Sequence, residues 1–178
     1  TAEIMRRFEP VLDREQPSAV LVVGDVNSTL ACALVAVKKG VAVIHVEAGL
    51  RSFDRAMPEE INRVLTDQIS DLLFITEKSA RENLLREGIA ESRIHFVGNV
   101  MIDTLRHNLK QAVPAAQTLG RHGAPADWAQ KGFAVLTLHR PSNVDDPATL
   151  RALLGAIREV SSRLPVAFPM HPRTRAKV

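Results

Sequence analysis

Apolar positions along this chain follow two patterns that alternate with each other. Residues 2–15 carry apolar side chains at helical spacing, whereas residues 18–23 form a continuous aliphatic run, which is typical of a strand buried on both faces. Further strands are predicted at 41–46, 71–75 and 93–97, and further helices at 27–39, from Pro58 onward, at 78–86 and at 99–111. This alternation predicts an α/β fold built on a parallel sheet with helices on both faces.

A change in composition follows this first series. Residues 113–131 are rich in Ala, Gly and Pro without a sustained period, and we interpret them as an interdomain connection. The alternation then resumes with a strand at 133–138, a helix at 147–163 and a strand at 166–170. We therefore predict that residues 1–112 are part of an N-terminal Rossmann-like domain and that residues 132–178 begin a second one.

Composition and charge narrow the functional class. The 178 residues are 46% hydrophobic and 24% charged, as in ordinary globular proteins. The formal net charge is only +3 and the basic residues are scattered, so nucleic-acid binding is not indicated. No apolar run approaches the roughly 20 residues that cross a bilayer, and Cys32 is the only cysteine, so we expect no membrane partner and a cytoplasmic location. The chain opens at Thr1 inside a helical pattern, and we expect it to be part of a longer protein.

Titratable side chains directly follow several of the predicted strands. Asp25 follows the first strand and Glu47 the second, while His139 and His171 follow the two strands of the second domain. Ligands of open parallel sheets bind beyond the carboxyl ends of the strands, because loops and helix N-termini converge there. The signatures of dinucleotide-binding, P-loop, zincin and hydrolase-elbow proteins are absent. These patterns predict an enzyme that binds an anionic small molecule across two domains, without naming the reaction.

Each candidate also has a purely structural interpretation. An aspartate after a strand can cap the next helix, and this explains Asp25 as well as a functional role does. Glu47 is harder to explain structurally, since it closes an otherwise buried strand, whereas His45 is better interpreted as a core histidine. Glu59 and Glu60 could both merely complement a helix dipole. Donors for an anionic ligand, or for surface ion pairs, are available in Arg51, Arg55, Arg63 and Arg140.

Several motifs occur together and in order along nearly the whole chain. They are GDVNST at 24–29, HVEAGLR at 45–51, PEEINR at 58–63, GN at 98–99 with Asp103, and LHR at 138–140 with Asn143. In this combination the chain resembles the non-hydrolysing UDP-N-acetylglucosamine 2-epimerases. The heptapeptide HVEAGLR followed by PEExNR is highly specific, whereas the GD and LHR motifs would be weak alone.

The resemblance implies a fold, a reaction and a set of site residues. The fold is a pair of Rossmann-like domains of the GT-B type with a UDP-sugar in the cleft, and the reaction is anti elimination of UDP to 2-acetamidoglucal followed by re-addition. We expect no metal or other cofactor, a role in surface polysaccharide synthesis, and a homodimer of the full-length protein. By matching motif positions, the catalytic set is Asp25, Glu47, Glu59 and His139, and the substrate-binding residues are Arg63, Arg140 and His171.

The chain departs from the family pattern at both ends. Family members begin with a strand and a basic turn that carries part of the diphosphate site, and they continue into a nucleotide-binding loop rich in Ser and Gly. Neither segment is found in this sequence, so we expect the chain to hold only part of the enzyme. Two alternatives stay open, namely a GT-B glycosyltransferase that uses the same cleft and a non-catalytic nucleotide-sugar-binding module.

Overall fold

The chain folds into two compact units. A computed structural model describes every residue from Thr1 to Val178. The first unit is Thr1–Lys110 and the second is Gln111–Val178, and each contains a parallel sheet of its own. The predicted boundaries of the two Rossmann-like domains, at residues 112 and 132, stay predictions.

The first unit is a four-stranded parallel sheet in the order β1-β2-β3-β4. Its strands are β1 Ala19–Val23, β2 Ala42–Val46, β3 Leu72–Ile75 and β4 Ile94–Phe96. Its helices are α1 Ala2–Glu15, α2 Asn27–Lys38, α3 Pro58–Ile69, α4 Lys78–Arg86 and α5 Val100–Leu109, and a 3₁₀ turn at Glu91–Arg93 precedes β4. Strand and helix alternate as predicted, and the parallel α/β fold is confirmed.

Alternate strand residues build the core of the first unit. Val22 and Val43 are buried together with Leu12 of α1 and with alanines of α2. Fully burying an aliphatic side chain of this size stabilises the fold by about 1.5–3 kcal/mol. The other face of β1 differs, because Leu21 and Val23 are 57% and 49% exposed. No helix covers these two residues, so the prediction that β1 is buried on both faces is wrong.

The register of β1 against β2 brings the ends of these two strands side by side. Val23 pairs with Val46, and the backbone N–H of Gly24 donates to the Val46 carbonyl at 3.0 Å. The turn after β1 therefore lies beside the turn after β2. This adjacency places Asp25 and Glu47 at the same carboxyl edge of the sheet, where ligands of open parallel sheets bind.

The second unit has a smaller parallel sheet of two strands, β5 Ala134–Val135 and β6 Val166–Ala167. Both strands are shorter than the predicted 133–138 and 166–170, because the ladder pairs only two residues of each. The helices of this unit are α6 Ala115–Arg121, α7 Trp128–Lys131, α8 Pro141–Val144, α9 Pro147–Ser161 and α10 Pro172–Arg175. Helix α9 begins where predicted, since the Asp146 side chain caps it by accepting the Thr149 N–H at 2.8 Å.

Residues 113–131 are not free of regular structure. Helices α6 and α7 lie within this range, and both belong to the second unit. They have 7 and 4 residues, which is too short for a hydrophobic period to show in the sequence. The interpretation of this range as an interdomain connection stays a prediction. No helix in either unit combines the length and the apolar character that crossing a membrane requires.

Candidate active site

Asp25 lies in the turn that follows β1 and is held from two directions by α3. Its Oδ2 oxygen lies 2.5 Å from an Nη atom of Arg63. Its backbone carbonyl accepts a hydrogen bond of 2.9 Å from the Asn62 side chain, which also donates to Asn27. The preceding Gly24 has a φ of +68°, a conformation that favours glycine. The turn thus presents a carboxylate whose orientation is fixed by an arginine.

Glu47 is a non-glycine residue in the left-handed region, with a φ of +69°. A side chain in this region costs roughly 1–2 kcal/mol, and such residues cluster at functional sites. The Glu47 side chain is half-buried, yet its carboxylate makes no hydrogen bond or ion pair within the chain. Its Oε2 oxygen lies 3.4 Å from the position that a Cβ on Gly24 would occupy. Glu47 therefore lies against the turn that carries Asp25, with its carboxylate free to act on a ligand.

The two glutamates at the start of α3 have opposite environments. Glu59 is exposed and has no partner within the chain. Glu60 is 3% exposed and accepts hydrogen bonds from the Ser52 N–H, the Ser52 hydroxyl and the Phe53 N–H at 2.9–3.0 Å. Burial alone raises the pKa of Glu60, but these hydrogen bonds and the charge of Arg63 outweigh it, so the pKa of this carboxyl lies below its usual range. Glu60 holds the loop before α3, and Glu59 is the glutamate that a ligand can reach.

Arg63 contacts both Asp25 and Glu60. Besides its contact with Asp25, its Nη1 atom lies 3.4 Å from an oxygen of Glu60. The guanidinium is only 15% exposed, and its buried Nε atom has no partner in the chain. Arg63 and Glu59 lie one helical turn apart on α3, so they share one face of this helix. The structure thus brings Asp25, Glu47, Glu59 and Arg63 to one edge of the first unit.

A buried polar cluster lies behind this edge. His45 is fully buried, with Nδ1 2.6 Å from Asp67 and Nε2 2.9 Å from the Gly24 carbonyl oxygen. Both ring nitrogens have protein partners, which supports the interpretation of His45 as a core histidine. Arg51 is also enclosed, with its side chain 1% exposed between Asp67 and Glu87. Burial alone lowers the pKa of Arg51, but the two carboxylates outweigh it and raise the pKa, so this guanidinium is charged and already paired.

The second unit brings His139 and His171 together, each four residues beyond the end of its strand. Their ring centroids are 5.9 Å apart with an interplanar angle of 43°. His171 caps α10, since its Nδ1 atom accepts the Arg173 N–H at 3.2 Å. The Thr174 hydroxyl donates to the Leu138 carbonyl just before His139, which ties the two strand ends together. Both imidazoles are exposed at the carboxyl edge of this sheet.

The two arginines near this histidine pair differ in what they bind. Arg140 follows His139 directly, is exposed, and forms no ion pair within the chain. Arg173 instead makes a bidentate contact with Asp145 at 2.9 and 2.5 Å, and this guanidinium holds the pKa of Asp145 below its usual range. Of the two, Arg140 is the guanidinium that is available for an anionic ligand.

The whole chain, residues 1–178, matches the family model described as UDP-N-acetylglucosamine 2-epimerase. This chain belongs to the UDP-N-acetylglucosamine 2-epimerase family. The resemblance that the HVEAGLR and PEEINR motifs indicated is therefore confirmed.

Relatives within the epimerase family match the chain from end to end. A UDP-N-acetylglucosamine 2-epimerase of Methanococcus maripaludis is 44% identical over 180 residues, which cover 100% of this chain and 49% of the relative. A UDP-2,3-diacetamido-2,3-dideoxy-D-glucuronate 2-epimerase of Pseudomonas aeruginosa is also 44% identical, over 182 residues, with the same coverage of both chains. The chain spans about half the length of these relatives.

A crystal structure of another member agrees in fold. The UDP-GlcNAc 2-epimerase of Methanocaldococcus jannaschii, in complex with UDP-GlcNAc and UDP, matches with a TM-score of 0.85 and 43% identity. The match covers 99% of this chain and 48% of that protein. It confirms the predicted Rossmann-like fold as part of a GT-B-like architecture.

The sequence did not single out two residues that support this candidate site, Asn62 and Asp67. Both are buried on α3, as is Glu60, for which the sequence suggested only a helix-dipole role. The one signal was that Glu60, Arg63 and Asp67 recur at helical spacing, which is equally the pattern of a solvated face. Nowhere in the chain do three His, Cys, Asp or Glu residues converge as a metal site would require.

Proposed function

We propose that the protein that carries this chain is a UDP-GlcNAc 2-epimerase, which interconverts UDP-GlcNAc and UDP-ManNAc. The observation that carries this proposal is the conformation of Glu47, a left-handed, half-buried residue whose free carboxylate lies against the Asp25 turn. The names of the relatives, and the binding of UDP-GlcNAc and UDP by the M. jannaschii member, support the same reaction.

The reaction consists of an elimination and its reversal on the other face. A carboxylate takes the proton from C2, the C2–H electron pair becomes the C1–C2 double bond, and the C1–O bond breaks so that UDP leaves with its electron pair. Re-addition of UDP to C1 and protonation of C2 from the opposite face give the epimer. No electrons are gained or lost overall, so the step needs positioned acids and bases and a stabilised leaving group.

The first unit supplies the carboxylates for this chemistry. Asp25, Glu47 and Glu59 form the proposed acid–base set, because their carboxylates lie at one edge of the sheet and each keeps at least one oxygen free of protein partners. Arg63 orients Asp25 through its 2.5 Å contact with the Oδ2 oxygen. Two acid–base groups on different sides of C2 are what inversion at that carbon requires.

The second unit supplies nitrogen donors for the diphosphate. We assign His139 to the catalytic set, and Arg140 and His171 to nucleotide binding. The three are exposed in the segments that follow β5 and β6, and His139 and His171 form a close pair. Because Nδ1 of His171 accepts a backbone N–H, its Nε2 atom carries the proton and can donate to a phosphate oxygen.

A second UDP-sugar is supported by the comparisons. The P. aeruginosa relative is as similar to this chain as the M. maripaludis one, and its name specifies a diacetamido glucuronate. The C2 chemistry is the same for both sugars, so the choice depends on groups that recognise C3 and C6. The two sugars are therefore tested side by side.

Three further features belong to the same proposal. We assign the protein to the cytoplasm, where nucleotide sugars are available, and to the synthesis of surface polysaccharide. We also propose a homodimer of the full-length protein. Sedimentation analysis of the protein expressed from its complete gene checks the dimer, and a single species at the monomer mass would contradict it.

Proton NMR in deuterated water tests the reaction directly. The protein expressed from its complete gene is incubated with UDP-GlcNAc and, separately, with the UDP-diacetamido-glucuronate. The expected result is the C2 epimer of one sugar, with deuterium at C2 of both substrate and product. UDP binding without epimer or deuterium would favour the non-catalytic module, and transfer of the sugar only when an acceptor is present would favour the glycosyltransferase.

A further inference from the structure

Asp67 is the most enclosed carboxylate of the first unit. It lies on α3, is 0% exposed, and uses both of its oxygens. Oδ1 lies 2.6 Å from Nδ1 of His45. Oδ2 accepts the backbone N–H of Gly49 at 3.0 Å and lies 2.8 Å from Nη1 of Arg51. Burial removes water from the carboxylate, which costs free energy unless protein donors replace the lost hydration. His45, Gly49 and Arg51 provide these donors to Asp67.

One branch of these contacts runs from Asp67 to the Asp25 turn. The His45 ring bridges the two, since its other nitrogen, Nε2, lies 2.9 Å from the Gly24 carbonyl oxygen. The Gly24 N–H is bound in turn by the Val46 carbonyl. Both polar groups of the Gly24 backbone are therefore fixed, and the residue that follows is Asp25. His45 does not touch the substrate edge itself, because both of its nitrogens face protein atoms.

The other branch runs from Asp67 to the turn that carries Glu47. Gly49, two residues after Glu47, donates its N–H to Asp67 and accepts a hydrogen bond of 2.9 Å from the Asn83 side chain. Asp67 thus contacts His45, which precedes Glu47 in the sequence, and Gly49, which follows it. A left-handed glutamate persists only where its surroundings determine the backbone on both sides. The β1–β2 ladder fixes the backbone before Glu47, and the hydrogen bond from the Gly49 N–H to Asp67 fixes it afterwards.

From this arrangement we infer that Asp67 is a positioning residue, which fixes the Asp25 turn and the Glu47 turn relative to each other. The inference rests on the proposed function, since it assigns these two carboxylates to one reaction. Asp67 touches neither substrate nor reacting atoms. Its effect is on geometry, and misplacement of a catalytic group by about 1 Å can lower a rate by roughly 10²-fold.

The substitution that isolates this role is Asp67→Asn. An asparagine has the same size but offers a single acceptor oxygen, so its amide N–H₂ would face either His45 or the donors of Gly49 and Arg51. The matched control is Glu87→Gln, which changes the other carboxylate bound to Arg51 and leaves the contacts of Gly49 and His45 intact. Both variants alter one buried or partly buried acid of the same network.

The experiment measures kcat, KM and UDP affinity of both variants in the protein expressed from its complete gene. We expect Asp67→Asn to lower kcat by about 10²-fold, with KM and the Kd for UDP changed by less than about threefold. Glu87→Gln should stay within about threefold of the wild-type kcat. A wild-type kcat in Asp67→Asn, or an equal loss in Glu87→Gln, would overturn the inference.

Amide hydrogen exchange gives a readout that does not depend on activity. In Asp67→Asn, exchange should accelerate in peptides covering 24–29 and 45–51, while peptides covering 2–15 and 31–38, in α1 and the rest of α2, stay protected. If the wild-type protein turns over neither sugar, the proposed function fails, and this exchange pattern alone decides whether Asp67 orders both turns. In Asp67→Asn, faster exchange of only one turn, or of neither, would contradict the coupling. If Asp67→Asn does not fold, His45→Asn tests the branch to the Asp25 turn alone, since it removes the contact with Gly24 and leaves the contact of Asp67 with Gly49. Exchange in His45→Asn should then accelerate in peptides covering 24–29, and unchanged exchange there would contradict the inference.

Discussion

Arg63 binds the carboxylate of Asp25 at 2.5 Å, although the two residues are 38 positions apart in the chain. The contact connects the N-terminal half of α3 to the turn after β1. The same guanidinium lies 3.4 Å from Glu60, whose carboxylate holds the loop before α3. One arginine therefore joins a proposed catalytic acid to a structural one, and the two roles can be separated by substitution.

Glu47→Gln should abolish epimerisation while the protein stays folded. Glutamine has the same shape but cannot accept or return a proton at neutral pH, so kcat should fall by about 10²–10⁴-fold with a thermal midpoint close to wild type. Turnover is measured by NMR with the UDP-sugar that the wild-type protein epimerises. Glu82→Gln, at an exposed glutamate of α4, is the control and should retain full activity. Near-normal turnover in Glu47→Gln would remove this residue from the catalytic set.

His139→Asn should reduce the rate much more than the stability. The imidazole is exposed beside His171 rather than packed in a core, so its loss should lower kcat by roughly 10²-fold or more with a small change in thermal midpoint. His107→Asn, at an exposed histidine of α5, serves as the control. A protein that loses stability but keeps its rate per folded molecule would make His139 a structural residue.

Gly49→Ala should destabilise the first unit far more than Gly40→Ala. Both glycines have positive φ, so both substitutions cost about 1–2 kcal/mol of backbone strain. A Cβ on Gly49 would also lie 2.7 Å from the Ala80 carbonyl oxygen, whereas a Cβ on Gly40 meets nothing within 4 Å. We expect an additional loss of about 1–3 kcal/mol for Gly49→Ala, measured by urea denaturation. Equal losses would mean that α4 moves freely away from the turn.

The stability contributed by Glu60 should depend on pH in the acid range. Its pKa in the folded protein is depressed, so the carboxylate stabilises the fold fully above the unfolded pKa of about 4.3. This contribution is lost as the pH falls through the lower, folded pKa, because the unfolded state binds the proton first. Glu60→Gln should therefore cost roughly 1–3 kcal/mol at pH 7, and the difference from wild type should shrink below about pH 4. A difference that is constant between pH 3 and pH 7 would contradict this.

The sequence predicted the fold of the first unit well because β1, β2 and β3 are mostly apolar runs of four or five residues. β1 and β2 are each followed directly by a turn, and α3 begins at Pro58, whose missing N–H suits the first turn of a helix. The second unit was predicted less accurately. Its strands pair over two residues, and helices such as α7 are shorter than one full hydrophobic repeat.

The sequence found the proposed carboxylates of the site but not the residues that hold them. Asp25 and Glu47 were visible because a titratable side chain directly follows an apolar run. Asp67 was not, because α3 reverses the usual arrangement: Asp67 and Thr66 are 0% exposed, while Leu65 is 46% exposed. Helical spacing shows which residues share a face but not which face is buried, and tertiary contacts such as that of Asp67 with His45 decide it.

Because Glu47 has a left-handed backbone, stability and catalytic activity favour different residues at this position. An asparagine or glycine tolerates a φ of +69° with less strain than a glutamate does. Selection for thermal tolerance alone would therefore favour replacing Glu47, and only selection for turnover would retain it. An inactive protein that drifts or is screened for heat resistance should lose this glutamate early, whereas Asp67, whose buried carboxylate contacts His45, Gly49 and Arg51, should be replaced later.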